Sequence, residues 1–138
     1  MVDQFFTPDP DPGCGEELPQ LARRGIEHFN RGEYFAAHEW LELAWREEPR
    51  PIRELYRGIL QVGVAYYHFQ RGNLRGAIRL LERAEGWLRQ FPADCQGVDV
   101  AGLRRAATDV LRQLQQIEAT GTALPVRLHP INCRTVKE

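Results

Sequence analysis

The sequence predicts an all-α protein: a five-helix bundle built from two antiparallel helix hairpins, a tetratricopeptide-like pseudo-repeat, plus a closing helix. Three observations lead there. Apolar residues recur at helical spacing from Leu18 onward for about a hundred residues. Gly and Pro punctuate that pattern at regular intervals. The chain also echoes itself: "HFNRGEYFAAHEWLELA" begins at His28 and "HFQRGNLRGAIRLLERA" at His68, with His, Phe, Arg, Gly, Ala, Leu, Glu and Ala coinciding without a gap. Each copy ends one helix, turns at Arg-Gly and opens the next with small residues where two helices approach, the logic of a stacked helix hairpin.

The elements follow in order. Residues 1–16, rich in Pro, Asp and Gly, read as an extended arm that adds little to stability, with Phe5 and Phe6 its aromatic exceptions. The first helix spans 18–30 and stops at Gly32. The second, 33–47, is closed by Pro49 and Pro51. Pro51 suits the first turn of the third, which runs to Arg71. Asn73 caps a fourth helix to Gln90, before Pro92. The linker "PADCQGV" leads to Asp99, N-cap of a fifth helix that stops at Gly121. The tail, 122–138, carries Pro125 and Pro130 and reads as extended along the bundle. No run alternates long enough for a strand. The expected organisation is therefore an arm (1–16), one helical domain (17–121) and a tail (122–138).

A chain of 138 residues, 43% hydrophobic, suits one core. The net charge of -1 gives no pull toward nucleic acid or an anionic membrane, so neither is an expected partner. Lys137 is the only lysine among 18 basic residues, which reads as genome composition more than a phosphate-binding device. Cys14, Cys95 and Cys133 are odd in number and far apart, which argues against a zinc knuckle or a disulfide framework and for a reducing cytoplasm. The start lacks the basic and apolar regions of a signal peptide, and no apolar run approaches the ~18 residues of a membrane span. The expectation is a soluble, cytoplasmic protein.

One stretch breaks the pattern. In "FAAHEWLELAW", at 100° per residue, His38 and Glu42 fall between large aromatic residues, while Glu39 lies further round beside Arg46. The third helix is apolar around most of its circumference but carries a polar stripe of Glu54, Arg57, Gln61 and His68, with small Gly58 and Ala65 beside it. Either the stripe faces water, or it turns inward toward His38 and Glu42 with the small residues leaving room.

The runs "GEYFAAHEWLELAW", "YRGILQVGVAYYHFQRGNLRGAIRLL" and "QGVDV" resemble the domain-of-unknown-function 309 family of small helical proteins, over about residues 20–118. The matching positions are His38, Glu39, Glu42, Trp45, Gly58, Gln61, His68, Gly72, Asn73, Gly76, Ala77 and Asp99. The resemblance implies that His38, Glu42, Gln61 and His68 belong to one motif, which favours the inward stripe: a shared interior cluster between the second and third helices. It names no activity, although some members carry a metal-dependent hydrolase label.

The chemistry open to such a cluster is narrow. His38 and Glu42 are spaced i, i+4, but a zincin helix needs His at both places. His68 would complete a His38/Glu42/His68 metal set for a divalent ion such as zinc. Di-iron bundles use Glu-x-x-His, which is absent. Ser is absent from the chain, and no Cys lies near a His in a familiar motif. Close helix packing accounts for Gly72 and Gly76 better than a phosphate loop does. The expected function is a structural or binding module without cofactor. It would use His38, Glu39, Glu42, Arg57, Gln61 and His68 toward an unknown protein or small-molecule ligand, with Trp40, Trp45 or Tyr67 as anchors. A homo-oligomer is compatible with this reading. The alternative is a metal-dependent hydrolase on the His/Glu/His set.

Overall fold

In the computed structural model, which describes residues 13–136, the periodic segments become helices α1 (Gln20–Asn30), α2 (Tyr34–Glu47), α3 (Arg53–Gln70), α4 (Leu74–Leu88) and α5 (Val100–Thr120). Each lies inside its expected span. Phe5, Phe6 and most of the predicted arm fall outside the described residues.

The two Arg-Gly turns are the same object forty residues apart. Gly32 N–H donates to Phe29 O and Glu33 N–H to His28 O; Gly72 N–H donates to Phe69 O and Asn73 N–H to His68 O. Gly32 and Gly72 take φ of 79° and 81°, the left-handed step that closes a helix end in this pattern and that suits glycine. The histidine of each copy then meets the side chain five residues on. His28 Nδ1 lies 2.7 Å from Glu33 Oε1, and His68 Nδ1 lies 3.4 Å from Asn73 Nδ2. Asn73 and Asp99 cap α4 and α5 by accepting from Gly76 N–H and Gly102 N–H, at 3.0 and 2.9 Å. Gly72 and Gly76 thus serve a turn and a cap, which corrects the expectation that they serve helix packing. The close approaches fall at Gly25 and Gly58, where an added Cβ would lie 2.5 Å from Leu41 Cγ and 2.6 Å from Leu88 Cδ2.

The core forms because each helix has one buried stripe. Helix α3 lies between α2 and α4, and α5 packs on α4. Phe29, Tyr34 and Tyr66 make a ring cluster with centroids 5.2–5.6 Å apart, in the same buried core as Ile26, Leu41, Ile59 and Val62. Burial raises the Tyr66 phenol above its ordinary pKa, so it stays protonated there. No helix among the described residues is long and apolar enough to cross a membrane.

The linker before α5 departs from expectation. It folds into two short antiparallel strands, β1 (Asp94–Cys95) and β2 (Val98–Asp99), and Cys133 of the tail bridges to Val98. Gln96 and Gly97 both have positive φ, 51° and 83°, as a two-residue hairpin turn requires. Alternation over two residues per strand is too short to register in a sequence. Gln96, 2% exposed, is the polar hub of this corner. It accepts from Tyr56 Oη at 2.7 Å, donates through Nε2 to Gly13 O at 3.1 Å, and its backbone N–H donates to Cys14 O at 2.7 Å.

Cys14 and Cys95 form a disulfide across a separation of 81 residues, leaving Cys133 free and buried. This corrects the reading that odd, scattered cysteines argue against a disulfide: the fold, not the spacing, brings them together. The last residues of the predicted arm are thereby pinned, with Glu16 also paired to Arg50 at 2.8 and 2.9 Å. The tail lies along the bundle. Asn30 clamps the Ile131 backbone by donating to its O at 2.9 Å and accepting from its N–H at 2.7 Å, and Ile131, Cys133 and Val136 are buried.

Candidate functional site

Helical spacing puts His38, Glu42 and Trp45 on one side of α2, and Arg57, Leu60 and Gln61 on the facing side of α3. Together they line a hollow of about 230 Å³. His38 Nε2 lies 3.1 Å from Glu42 Oε1, and Glu42 Oε2 lies 2.5 Å from an Arg46 guanidinium nitrogen. The His38 and Glu42 side chains are 32% and 31% exposed, so the hollow opens at the surface. The expected interior cluster is corrected to a half-buried one. The buried positions of α2 and α3 include the apolar Ala37, Leu41, Ala44, Leu55, Ile59 and Val62, and a close-packed core of this kind leaves no interior room for charged groups. The small residues of the stripe serve other contacts: Gly58 receives Leu88, and Ala65 is wholly buried.

Arginine and tryptophan hold the wall of the hollow. The Arg57 guanidinium lies 4.7 Å from the Trp45 ring centre and 4.4 Å from that of Trp87. Its Nε is 3.0 Å from Glu54 Oε1. Arg53 lies 4.3 Å from the Trp45 ring centre and donates from Nε to Trp45 O at 3.1 Å. Guanidinium groups over indole faces gain attraction from the ring quadrupole and fix the ring's tilt. Among the described residues five buried side-chain atoms have no hydrogen-bond partner: the ion-paired Glu54 Oε1, Tyr66 Oη, and the three on lining residues, His38 Nδ1, Trp45 Nε1 and Gln61 Oε1. Native proteins pair most such atoms, and here three unpaired ones sit on residues lining one hollow.

Glu39 is not part of that hollow. It lines a neighbouring one of about 340 Å³ with Phe35, His38, Glu42, Leu43 and Arg46. The two share His38 and Glu42, and Phe35 and Leu43, at 56% and 40%, are the exposed large hydrophobic residues among those described.

His68 is not brought into the cluster. It lies seven residues past Gln61, about 10 Å along the helix axis, and belongs to the turn against Asn73. The proposed His38/Glu42/His68 set is therefore not assembled, and no group of three or more His, Cys, Asp or Glu side chains among the described residues could hold a metal ion. The echo carried the signal: His68 aligns with His28, which performs the same turn duty. Trp87 is the site residue that sequence reasoning missed, because nothing local to α4 marks it as Arg57's second ring.

Fold and site together define a small helix-hairpin bundle with a polar surface hollow between its second and third helices. Over residues 22–80 the chain matches the model of the family described as Domain of unknown function (DUF309). That match is shorter than the resemblance implied, but it includes every candidate residue from His38 to His68. The chain is similar to "Uncharacterized protein YpuF" of Bacillus subtilis (strain 168), 33% identical over 116 residues that cover 82% of this chain and 64% of that protein. It is also similar to an "Uncharacterized protein" of Aquifex aeolicus (strain VF5), 28% identical over 96 residues, 67% of this chain and 28% of that one. The chain thus spans less than two thirds of the length of both relatives.

Proposed function

We propose that the chain is a binding module whose hollow between α2 and α3 takes a polar group the size of one side chain, presented by a protein partner. The observation that carries this reading is the trio of unpaired buried atoms, His38 Nδ1, Trp45 Nε1 and Gln61 Oε1, all on lining residues. Leaving such atoms unsatisfied costs roughly 1–3 kcal/mol each, and a ligand group with both donors and acceptors recovers that cost. A volume of about 230 Å³ is smaller than the ~300–1,000 Å³ of pockets that enclose a drug-sized molecule. The occupant is then one end of something larger. Phe35 and Leu43 beside the hollow supply apolar contact for the rest of it.

A purely structural role leaves the unpaired atoms unexplained. The metal-dependent hydrolase alternative has two ligands, His38 and Glu42, with no third beside them among the described residues. A cytoplasmic location belongs to the sequence reading, and the Cys14–Cys95 bond weighs against it, because such bonds persist mainly in oxidising compartments.

The test selects peptides from a displayed random library on the full chain and follows the Trp45 indole N–H by NMR. The expected result is that bound peptides move that resonance and bind at least about tenfold more weakly to Gln61→Leu, which loses a contact of some 1.4 kcal/mol or more. Peptides that leave the resonance unmoved and bind Gln61→Leu equally well would sink the reading.

A further inference from the structure

A second hollow, about 480 Å³, lies between α4 and α5 and is lined by Glu85, Ala101, Arg104, Arg105, Thr108 and Arg112. We infer that it is an anion site for the phosphoryl group of a small soluble molecule, held by Arg105 and Arg112 over Thr108.

The position is not arbitrary. Helix α4 starts forty residues after α2 (Leu74 against Tyr34), and α5 starts 47 after α3 (Val100 against Arg53). With those offsets Trp45 corresponds to Glu85, Arg57 to Arg104 and Gln61 to Thr108. Two of these correspondences are visible as contacts: Arg57 meets Trp45, and Arg104 meets Glu85. The second hollow thus draws part of its lining from the repeat counterparts of the first hollow's residues, while Arg105 and Arg112, which correspond to Gly58 and Ala65, are its own addition.

Its chemistry selects an anion. Three guanidinium groups face one carboxylate around the hollow. Glu85 takes Arg104 in a two-pronged pair, Nε at 3.1 Å and a terminal nitrogen at 2.6 Å, which fixes Arg104 and neutralises it. Arg112 is held loosely, 3.5 Å from Asp109 Oδ1, and among the described residues Arg105 has no carboxylate partner within ion-pair distance. Arg105, Thr108 and Arg112 follow at i, i+3 and i+7, on one face of α5. The two arginines stand about 10 Å apart along the axis, with Thr108 between them. Arginine side chains are long enough to converge on one tetrahedral group from both ends, and the threonine hydroxyl can donate to it. The planar guanidinium matches phosphate oxygens two at a time, and at about 480 Å³ the hollow also has space for the rest of a small molecule. The scarcity of lysine across the chain concerns overall composition and does not decide a local cluster.

The experiment titrates inorganic pyrophosphate into the full chain by calorimetry at low salt, with sodium sulfate at matched ionic strength as the control for screening. Arg105→Ala/Arg112→Ala is compared with the parent and with Gln61→Leu, whose change lies in the other hollow. Both arginines lie on a helix face away from the core, and circular dichroism checks that the variant folds. The expected result is saturable one-site binding, weakened more than about tenfold in the double arginine variant and unchanged in Gln61→Leu. Absence of saturation at millimolar pyrophosphate, or equal affinity in the double variant, would overturn the proposal. So would binding confined to phosphatidylglycerol vesicles or a DNA oligonucleotide, because a surface that needs a polyanion is not this site.

Discussion

The hollow between α2 and α3 holds its central arginine with two indole rings, whereas the hollow between α4 and α5 holds its own with a carboxylate. Each hollow lies between two consecutive helices, and what differs is what stands behind the second of them. Helix α3 is covered on its far side by α4, so its positions 58 and 65 must be small: Gly58 admits Leu88 and Ala65 is sealed. Helix α5 has no further helix packed on it among the described residues, and the corresponding positions, 105 and 112, carry arginine. A terminal helix is free to be charged where an internal one is not. The comparison teaches that the hairpin repeat fixes where a hollow forms, and that neighbouring packing fixes which chemistry is allowed there.

The largest expected effect sharpens this contrast from outside both hollows. Cys14→Ser should destabilise by about 2–5 kcal/mol, since the bond closes a long loop in the unfolded chain. Hydrogen exchange should rise around β1 and β2 more than in the seam between α2 and α3. Equal rises everywhere would mean that the two ends of the molecule are not separable. Next, Gly58→Val should cost about 1–3 kcal/mol by forcing α3 away from Leu88. Its thermal midpoint should fall clearly, whereas Arg105→Val at the corresponding position should barely move it. A similar loss at both positions would break the packing argument.

Smaller effects probe the first hollow. Gln61→Leu should leave stability within about 1 kcal/mol of the parent, because it removes an acceptor that has no protein partner. A larger loss in chemical denaturation would show that Gln61 does structural work. His28→Ala and His68→Ala should cost equal, small amounts, below about 1 kcal/mol, and neither should move the Trp45 resonance. The smallest effect concerns the pinned strap. Arg50 donates hydrogen bonds to Glu16 and Glu48 and holds both carboxyls below their ordinary pKa. A depressed carboxylate pKa means stability that is present above the ordinary carboxylate value and lost as pH falls through the lowered one. Protease access near Glu16 should therefore rise slightly only in strong acid, and a rise near neutrality would contradict the pairing.

The helices were legible because period, caps and Gly turns agree with one another, and α1–α5 lie inside their expected spans. His38, Glu42, Arg57 and Gln61 were legible as neighbours for the same reason: helical spacing puts them on facing stripes. The depth of the site was not legible, because a wheel cannot tell a seam from its rim. His68 was misplaced although its echo partner His28 already marked it as a turn residue. The corner around Gln96 was hidden for a different reason. Its disulfide and its bonds to Tyr56 and Gly13 join residues 40 to 83 positions apart, and no local pattern encodes such contacts.

That corner has a mechanical consequence. The Cys14–Cys95 bond ties off a covalent ring that contains α1 to α4, while α5 and the tail hang outside it. Tension applied through the two ends of the chain passes across the sulfur bridge and skips everything within the ring. Stretching the oxidised protein would peel away α5 and the tail yet keep 81 residues out of the load path, hiding about 290 Å of extended length at ~3.6 Å per residue. Breaking one bond would release that hidden length, so the four inner helices are shielded from pulling for as long as the bridge lasts.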